Sequence, residues 1–327
     1  MNQPSVSVVI RSYNEEQHIG RLLEGILQQT LADVEIILVD SGSTDSTVAI
    51  ARLDPARVIS IRPEDFSFGY SLNVGCEAAQ GELIAIASAH VYPVYKDWLE
   101  KLTAPFSDER VALTYGKQRG NEHSKYSEHQ VFARWFPDEP DHNQKHPFCN
   151  NANAAIRRSV WEQIRYDETL TGLEDTAWAK QVIQIGYKIA YVPAAEIIHV
   201  HDETPRRIYN RYRREAIALK RIFPEERFTL IDFARLFTAN LFSDYYHAAR
   251  DGVLWPNLGS VFSFRLMQFW GTYRGFARRD AVTSSLRQTF YYPKGRRRTA
   301  PEDAPIEEER RIDYVRSSTE EAAGKHS

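Results

Sequence analysis

Two short apolar runs in this 327-residue chain end in side chains able to do chemistry. VSVVI (6–10) leads into Arg11, Tyr13 and Glu15, and EIILV (35–39) leads into Asp40, Ser41, Gly42, Ser43, Thr44 and Asp45. An apolar run with a polar tip suits the carboxyl edge of a parallel sheet, where open α/β sheets bind ligands. Asp40 would emerge at a strand end, able to accept hydrogen bonds from a base N–H or a ribose hydroxyl. Tyr13 can stack on a base and Glu15 can bond its edge, with Arg11 and Ser41 at the same tips. The alternative is a pair of turns, Gly42 permitting one and Ser43, Thr44 and Asp45 capping the next helix. Glu174 and Asp175 open a second polar site: they start a helix, whose dipole stabilises negative charge and keeps a carboxylate ionised. In RRIYNRYRREAIALKR, Arg211 and Arg214 share a helix face at a spacing of three and can meet a diphosphate. The other reading is a solvated basic face, or one lying on anionic lipid. His199 and His201 alternate onto one face of a strand.

These residues need elements to position them. Strands are expected at Val6–Arg11, Val34–Val39, Val58–Ile61, Leu83–Ala87 and Ala112–Tyr115, with helices between them at His18–Gln29, Ser46–Arg52, Tyr70–Ala79 and Lys96–Phe106. The strand runs are continuous and rich in Val and Ile, as parallel strands covered on both faces are. The alternation predicts a doubly wound α/β sheet. Gly116–Asn151 is polar and aperiodic and reads as a long loop or lid, its four histidines (His123, His129, His142, His146) in no recognisable metal spacing. Regular structure is expected again at Ala154–Arg157, in a helix Glu174–Ile185 and in a strand Ile189–Val192 stopped by Pro193. A helix then begins at Pro205, with Thr204 as its N-cap, and reaches about Ile222. Residues 228–280 carry aromatics and arginines at helical spacing. This gives a catalytic unit at 1–222, a helical extension at 223–290 and a charged, disordered tail at 291–327.

Composition excludes several classes. A net charge of -3 offers no dominant basic excess for nucleic acid. Two cysteines, Cys76 and Cys149, form no CxxC and no disulfide framework, as in a reducing compartment. The first residues carry no secretory pattern, and no run approaches the roughly 18–20 apolar residues of a membrane span. A cytoplasmic protein is the expectation. No GxGxxG follows the first strand, which disfavours a dinucleotide oxidoreductase.

Taken together, RSYNE, VDSGSTD and FSFGYSLNVGCEAAQGELIAIASAHVYPVYKDWLEKL resemble the family 2 glycosyltransferases of GT-A fold, as do NNANAAIRRSVW and LEDTAWAKQV. The resemblance covers roughly residues 5–220. It implies a GT-A mixed sheet flanked by helices and an inverting transfer of sugar from a nucleotide-sugar donor (UDP-, GDP- or dTDP-linked). It places Asn73 near the donor, makes Asp175 the base that takes the acceptor proton, and sets Glu174, Asn151 and Asn153 on the acceptor side. Most relatives carry Asp-x-Asp where this chain has Ser88-Ala89-His90, a form that resembles a rhamnosyltransferase-like subgroup. The resemblance then implies that Mn2+ or Mg2+ meets the donor diphosphate through His90, joined by His199 or His201, rather than through two carboxylates. The acceptor would be a saccharide or lipid-linked hydroxyl in cell-surface polysaccharide synthesis. The C-terminal helices would pack on the catalytic unit, on a second copy as a homodimer, or on the inner membrane face. A nucleotidyltransferase and a non-catalytic sugar-nucleotide-binding protein are the competing readings.

Overall fold

The computed structural model describes residues 5–278, 310–312 and 314. Its elements in chain order are β1 (Val6–Ser12), α1 (Ile19–Leu27), β2 (Val34–Asp40), α2 (Thr47–Ala51), β3 (Ala56–Ser60), α3 (Phe68–Ala78), β4 (Leu83–Ser88), β5 (Val91–Pro93), α4 (Trp98–Thr103), β6 (Val111–Arg119), α5 (Tyr126–Trp135), β7 (Asp141–Gln144), β8 (Asn153–Arg157), α6 (Arg158–Gln163), α7 (Glu174–Gln184), β9 (Lys188–His199), α8 (Pro205–Ile222), α9 (Leu230–Arg250) and α10 (Leu254–Phe276). The described strands form one sheet in the order β3-β2-β1-β4-β8-β6-β9-β5, with β7 also on β9.

β3, β2, β1 and β4 are parallel, whereas β8 runs antiparallel to both β4 and β6. The sheet is therefore mixed, as the family resemblance implied. The apolar runs are continuous because both faces are covered. In β2, Ile36 and Leu38 enter one core layer while Ile37 and Val39 enter the other. Burying each such side chain stabilises the fold by about 1.5–3 kcal/mol. Register then aligns the polar tips, pairing Ser12 with Asp40 and Arg11 with Ser88.

Three expectations need correcting. β9 does not stop at Pro193 but continues to His199. Its register against β6 slips between Gly116/Val192 and Gln118/Ile197, so Pro193 sits in an irregularity that needs no ladder N–H. The extra length carries His199 to the site. The 116–151 segment is not a bare loop: β6 runs on to Arg119 and is followed by α5 and β7. The buried face of α5 combines Ser127 and Glu128 with Phe132, which erases the apolar period. The tail is ordered at 310–312, where Lys96 N–H donates to the Arg310 carbonyl and Ile312 N–H to that of Val94. Residues 279–290 of the expected helical extension, and 291–309, 313 and 315–327 of the expected tail, lie outside the described residues.

α10 packs backbone-to-backbone on α8. A Cβ at Gly271 would meet the Tyr209 carbonyl at 2.5 Å, and one at Gly275 would meet Ala216 Cβ at 2.5 Å and the Arg213 carbonyl at 2.7 Å. Backbone cannot yield there. Gly275→Val should cost about 1–3 kcal/mol in urea unfolding through overpacking; an unchanged midpoint would show that the two helices do not pack this closely.

Candidate active site

The site forms a ring of side chains from widely separated segments. Asp175 lies in the first turn of α7 behind Leu173, whose backbone is left-handed at φ 56°. A leucine held there is strained, as residues at functional sites often are. One Asp175 oxygen accepts the Asn151 N–H at 3.1 Å and the other the Thr176 N–H at 2.6 Å. Burial pushes the Asp175 carboxyl up, and the charge of Glu174 adds to this, to about 7. Helix position therefore does not keep it firmly ionised, as the sequence suggests; desolvation outweighs the dipole and poises the group near neutrality. The Asn151 side-chain amide is buried beside it with neither polar atom hydrogen-bonded.

Glu174 accepts from Arg11 Nη1 at 3.1 Å, which ties α7 to the tip of β1. Arg11 also stacks on Phe68, its guanidinium carbon 4.8 Å from the ring centre, and Arg214 of α8 lies over the same ring at 4.6 Å. The Arg214 Nε is buried without a hydrogen-bond partner. One turn earlier on α8, Arg211 Nη2 donates to Glu128 at 3.0 Å and forms an ion pair with Glu203 at 2.6 Å. Arg211 was expected at a diphosphate, but two carboxylates already hold it.

Three histidines close the ring. His90, His199 and His201 each offer a ring nitrogen within 4.8 Å of the others. The Nδ1 of His90 faces Glu15 Oε1 at 2.9 Å, that of His199 faces Gln118 Oε1 at 2.8 Å, and that of His201 faces Glu128 Oε1 at 2.7 Å. This leaves Nε2 on each ring, and in buried His199 that atom has no partner. Burial, then the neighbouring His201 and His90, keep His199 well below the usual histidine range. A neutral imidazole with an orphaned nitrogen fits a metal ligand. Burial works to raise the Glu128 carboxyl, but His201 and Arg211 outweigh it and hold it at about 2. Glu128, His201 and Glu203 form a second close group, but the Arg211 guanidinium already bridges its two carboxylates. His123, His129, His142 and His146 join neither group among the described residues.

Other expected site residues have different jobs. Asn73 makes four hydrogen bonds, accepting from Trp161 Nε1 and Tyr166 N–H and donating to the Tyr166 carbonyl and Glu168. That saturates the amide, so Asn73 braces α3 and is not free for a donor. Asn153, fully buried, accepts from Trp98 Nε1 and donates to the Lys117 and Ala195 carbonyls, so it cannot meet an acceptor. Asp40 is 3% exposed and receives Gly42 N–H, Ser43 N–H and the Ser43 hydroxyl, which makes it the organiser of its turn. Ser41 donates to the Ser12 carbonyl. Glu15 orients His90 instead of offering a free edge to a base. Tyr13 and Ser88 are half-buried at the strand tips. Gln118, Glu128 and Phe68 were missed. No local spacing announces them, because each partner lies tens of residues away.

A mixed sheet of this order, with polar strand tips and a carboxylate at a helix start beyond them, is the architecture the GT-A resemblance implied. The family profile "Glycosyl transferase family 2" matches residues 7–165. The O-antigen chain rhamnosyltransferase RfbN of Salmonella typhimurium is 30% identical over 221 residues, covering 63% of this chain and 70% of that protein. WbaN of Salmonella anatum, also an O-antigen chain rhamnosyltransferase, is 30% identical over 223 residues, covering 64% and 70%. The mannosyltransferase PcManGT of Pyrobaculum calidifontis, solved with GDP-Man and Mn2+, superposes with a TM-score of 0.56 over 90% of this chain and 89% of that one. At 18% identity that likeness is one of fold. The chain belongs to glycosyltransferase family 2, and it is a glycosyltransferase.

Proposed function

We propose that the enzyme moves a sugar, with inversion, from a nucleotide diphospho-sugar to a hydroxyl of a saccharide or lipid-linked acceptor in cell-surface polysaccharide synthesis. The single observation carrying this reading is Asp175, poised near neutrality beside the buried, unpartnered Asn151 amide and joined through Glu174 and Arg11 to the strand tips. The donor's base and ribose lie over the ends of β1 and β2, near Tyr13 and Asp40. Its diphosphate lies between the histidines and Arg214, which stays on Phe68 without a carboxylate partner. His90, His199 and His201 would hold a divalent cation, which when bound would offset the charge gathering on the departing diphosphate. Asn151 orients the acceptor hydroxyl and Asp175 takes its proton as the oxygen attacks the anomeric carbon. The likeness to O-antigen rhamnosyltransferases supports the polysaccharide setting. Screening UDP-, GDP- and dTDP-sugars for release of a nucleoside diphosphate tests the reading. Release of pyrophosphate, or no turnover with any donor and metal, would count against it.

No helix among the described residues is long and apolar enough to cross a membrane. The outer face of α9 carries exposed Ile231, Phe242 and Tyr246 at helical spacing with Arg235 and Arg250, and Trp255 follows on α10, 80% exposed. Nearby carboxylates are engaged: Asp232 in a capping box with Thr229 and 3.7 Å from Arg235 Nη2, Asp251 with the Tyr126 hydroxyl. An aromatic and cationic face of this kind suits an anionic bilayer surface, where a lipid-linked acceptor would be presented. Co-sedimentation with anionic but not zwitterionic vesicles, reduced in an F242S/W255S variant, is the expected result. A salt-insensitive dimer losing its pairing in that variant would assign the face to a second copy instead.

A further inference from the structure

The histidine cluster says which kind of cation it takes. Building on the cation reading above, we infer that the centre prefers a nitrogen-seeking transition ion and discriminates against Mg2+. Glu15, Gln118 and Glu128 act as positioning residues that set this preference. Among the described residues, the only group that brings three ligands together without an intervening guanidinium is His90, His199 and His201. All three are imidazoles. Mg2+ favours hard oxygen ligands in an octahedral shell and gives up water reluctantly. Imidazole suits the transition ions, whose affinity climbs from Mn2+ through Co2+ and Ni2+.

Two carboxylates and one carboxamide stand one hydrogen bond further out. Glu15 comes from the loop after β1, Gln118 from β6 and Glu128 from α5, and each faces the Nδ1 of one ring. A carboxylate behind an imidazole fixes its tautomer and orientation and makes the outward nitrogen a better donor. Glu128 is itself held firmly. Arg211 bonds it from α8, and its neighbour Ser127 donates to buried Asp244 of α9 at 2.6 Å. Asp244 in turn accepts from Nε and Nη2 of Arg265 on α10, at 2.7 and 2.8 Å. The C-terminal helices therefore brace the ring behind His201, which gives the extension a role at the metal centre.

The test uses the full chain stripped of metal, without nucleotide, so that diphosphate oxygens do not favour Mg2+. Calorimetric titration should find Co2+ binding more tightly than Mg2+ by at least about tenfold, with Mn2+ between them. Bound Co2+ should show visible absorption that is lost in His199→Ala. Glu15→Gln should weaken Co2+ binding by about 10–100-fold while melting near the wild-type temperature, and Glu128→Gln should weaken it similarly at a lowered melting temperature, because it also gives up the buried pair with Arg211. Mg2+ binding as tightly as Co2+ would overturn the inference and leave the cation reading standing. No ion binding at all would overturn both. Unchanged Co2+ affinity in both Gln variants would remove the positioning role.

Discussion

Asp175→Asn should lower the transfer rate by about 10²–10⁴-fold, the range a positioned general base supplies, while binding of a nucleoside diphosphate stays unchanged. The asparagine keeps the oxygen that can accept the Asn151 or Thr176 N–H but cannot take a proton. The wild-type rate should rise with pH through about 7, because Asp175 must lose its proton to act. Stability should move the other way. The folded carboxyl holds its proton up to about 7, whereas an unfolded aspartate releases it near about 3.9. The group's contribution is thus fully present below the unfolded value and is lost as pH climbs through the folded one. The amide variant, having no such proton to lose, should gain melting temperature relative to wild type at pH 8 and show little gain at pH 4. Equal activity in the variant, or a rate flat from pH 5 to 9, would remove Asp175 from the chemistry.

His199→Ala should reduce metal-dependent transfer by about 10³-fold, since cation stabilisation of a leaving diphosphate is worth several kcal/mol. The ring is buried with Nε2 unpartnered, so removing it takes away a ligand together with an uncompensated polar atom. The metal-free variant should fold, and adding Mn2+ should raise its melting temperature far less than that of wild type. His146→Ala, at an exposed ring outside the cluster, should behave as wild type in both assays. Full activity of the His199 variant with Mn2+ would place the cation elsewhere.

Much of the framework was legible in the chain because burial on both faces writes itself as continuous apolar runs. β1, β2 and β4 stand within a residue of their expected ends, and the helix from Pro205 to Ile222 starts at the expected cap, with Thr204 accepting from the Arg207 N–H. Pro193 misled because a proline ends a strand only where a ladder N–H is required, and the register slip removes that need. α5 was hidden because its buried face is spent on polar work, Ser127 toward Asp244 and Glu128 toward His201. The histidines and carboxylates were visible as residue types, but not their pairings. Glu15 looked like a reader of bases, yet it lies 2.9 Å from His90, 75 residues on. Asn73 and Asn153 show the converse: asparagines in suggestive segments whose amides are consumed by tryptophan and backbone partners and, for Asn73, by Glu168. Sequence separation conceals such contacts, since nothing in a local period encodes which distant strand tip will lie alongside.

The most direct test of the whole ring is anomalous diffraction from crystals grown with Mn2+ and a nucleoside diphosphate. The account predicts one strong peak bounded by His90, His199 and His201 and by the diphosphate oxygens, with Asp175 and Asn151 facing the open side of the same cleft. A peak held by Glu128 and Glu203 with Arg211 displaced, or a nucleotide bound away from the tips of β1 and β2, would contradict it.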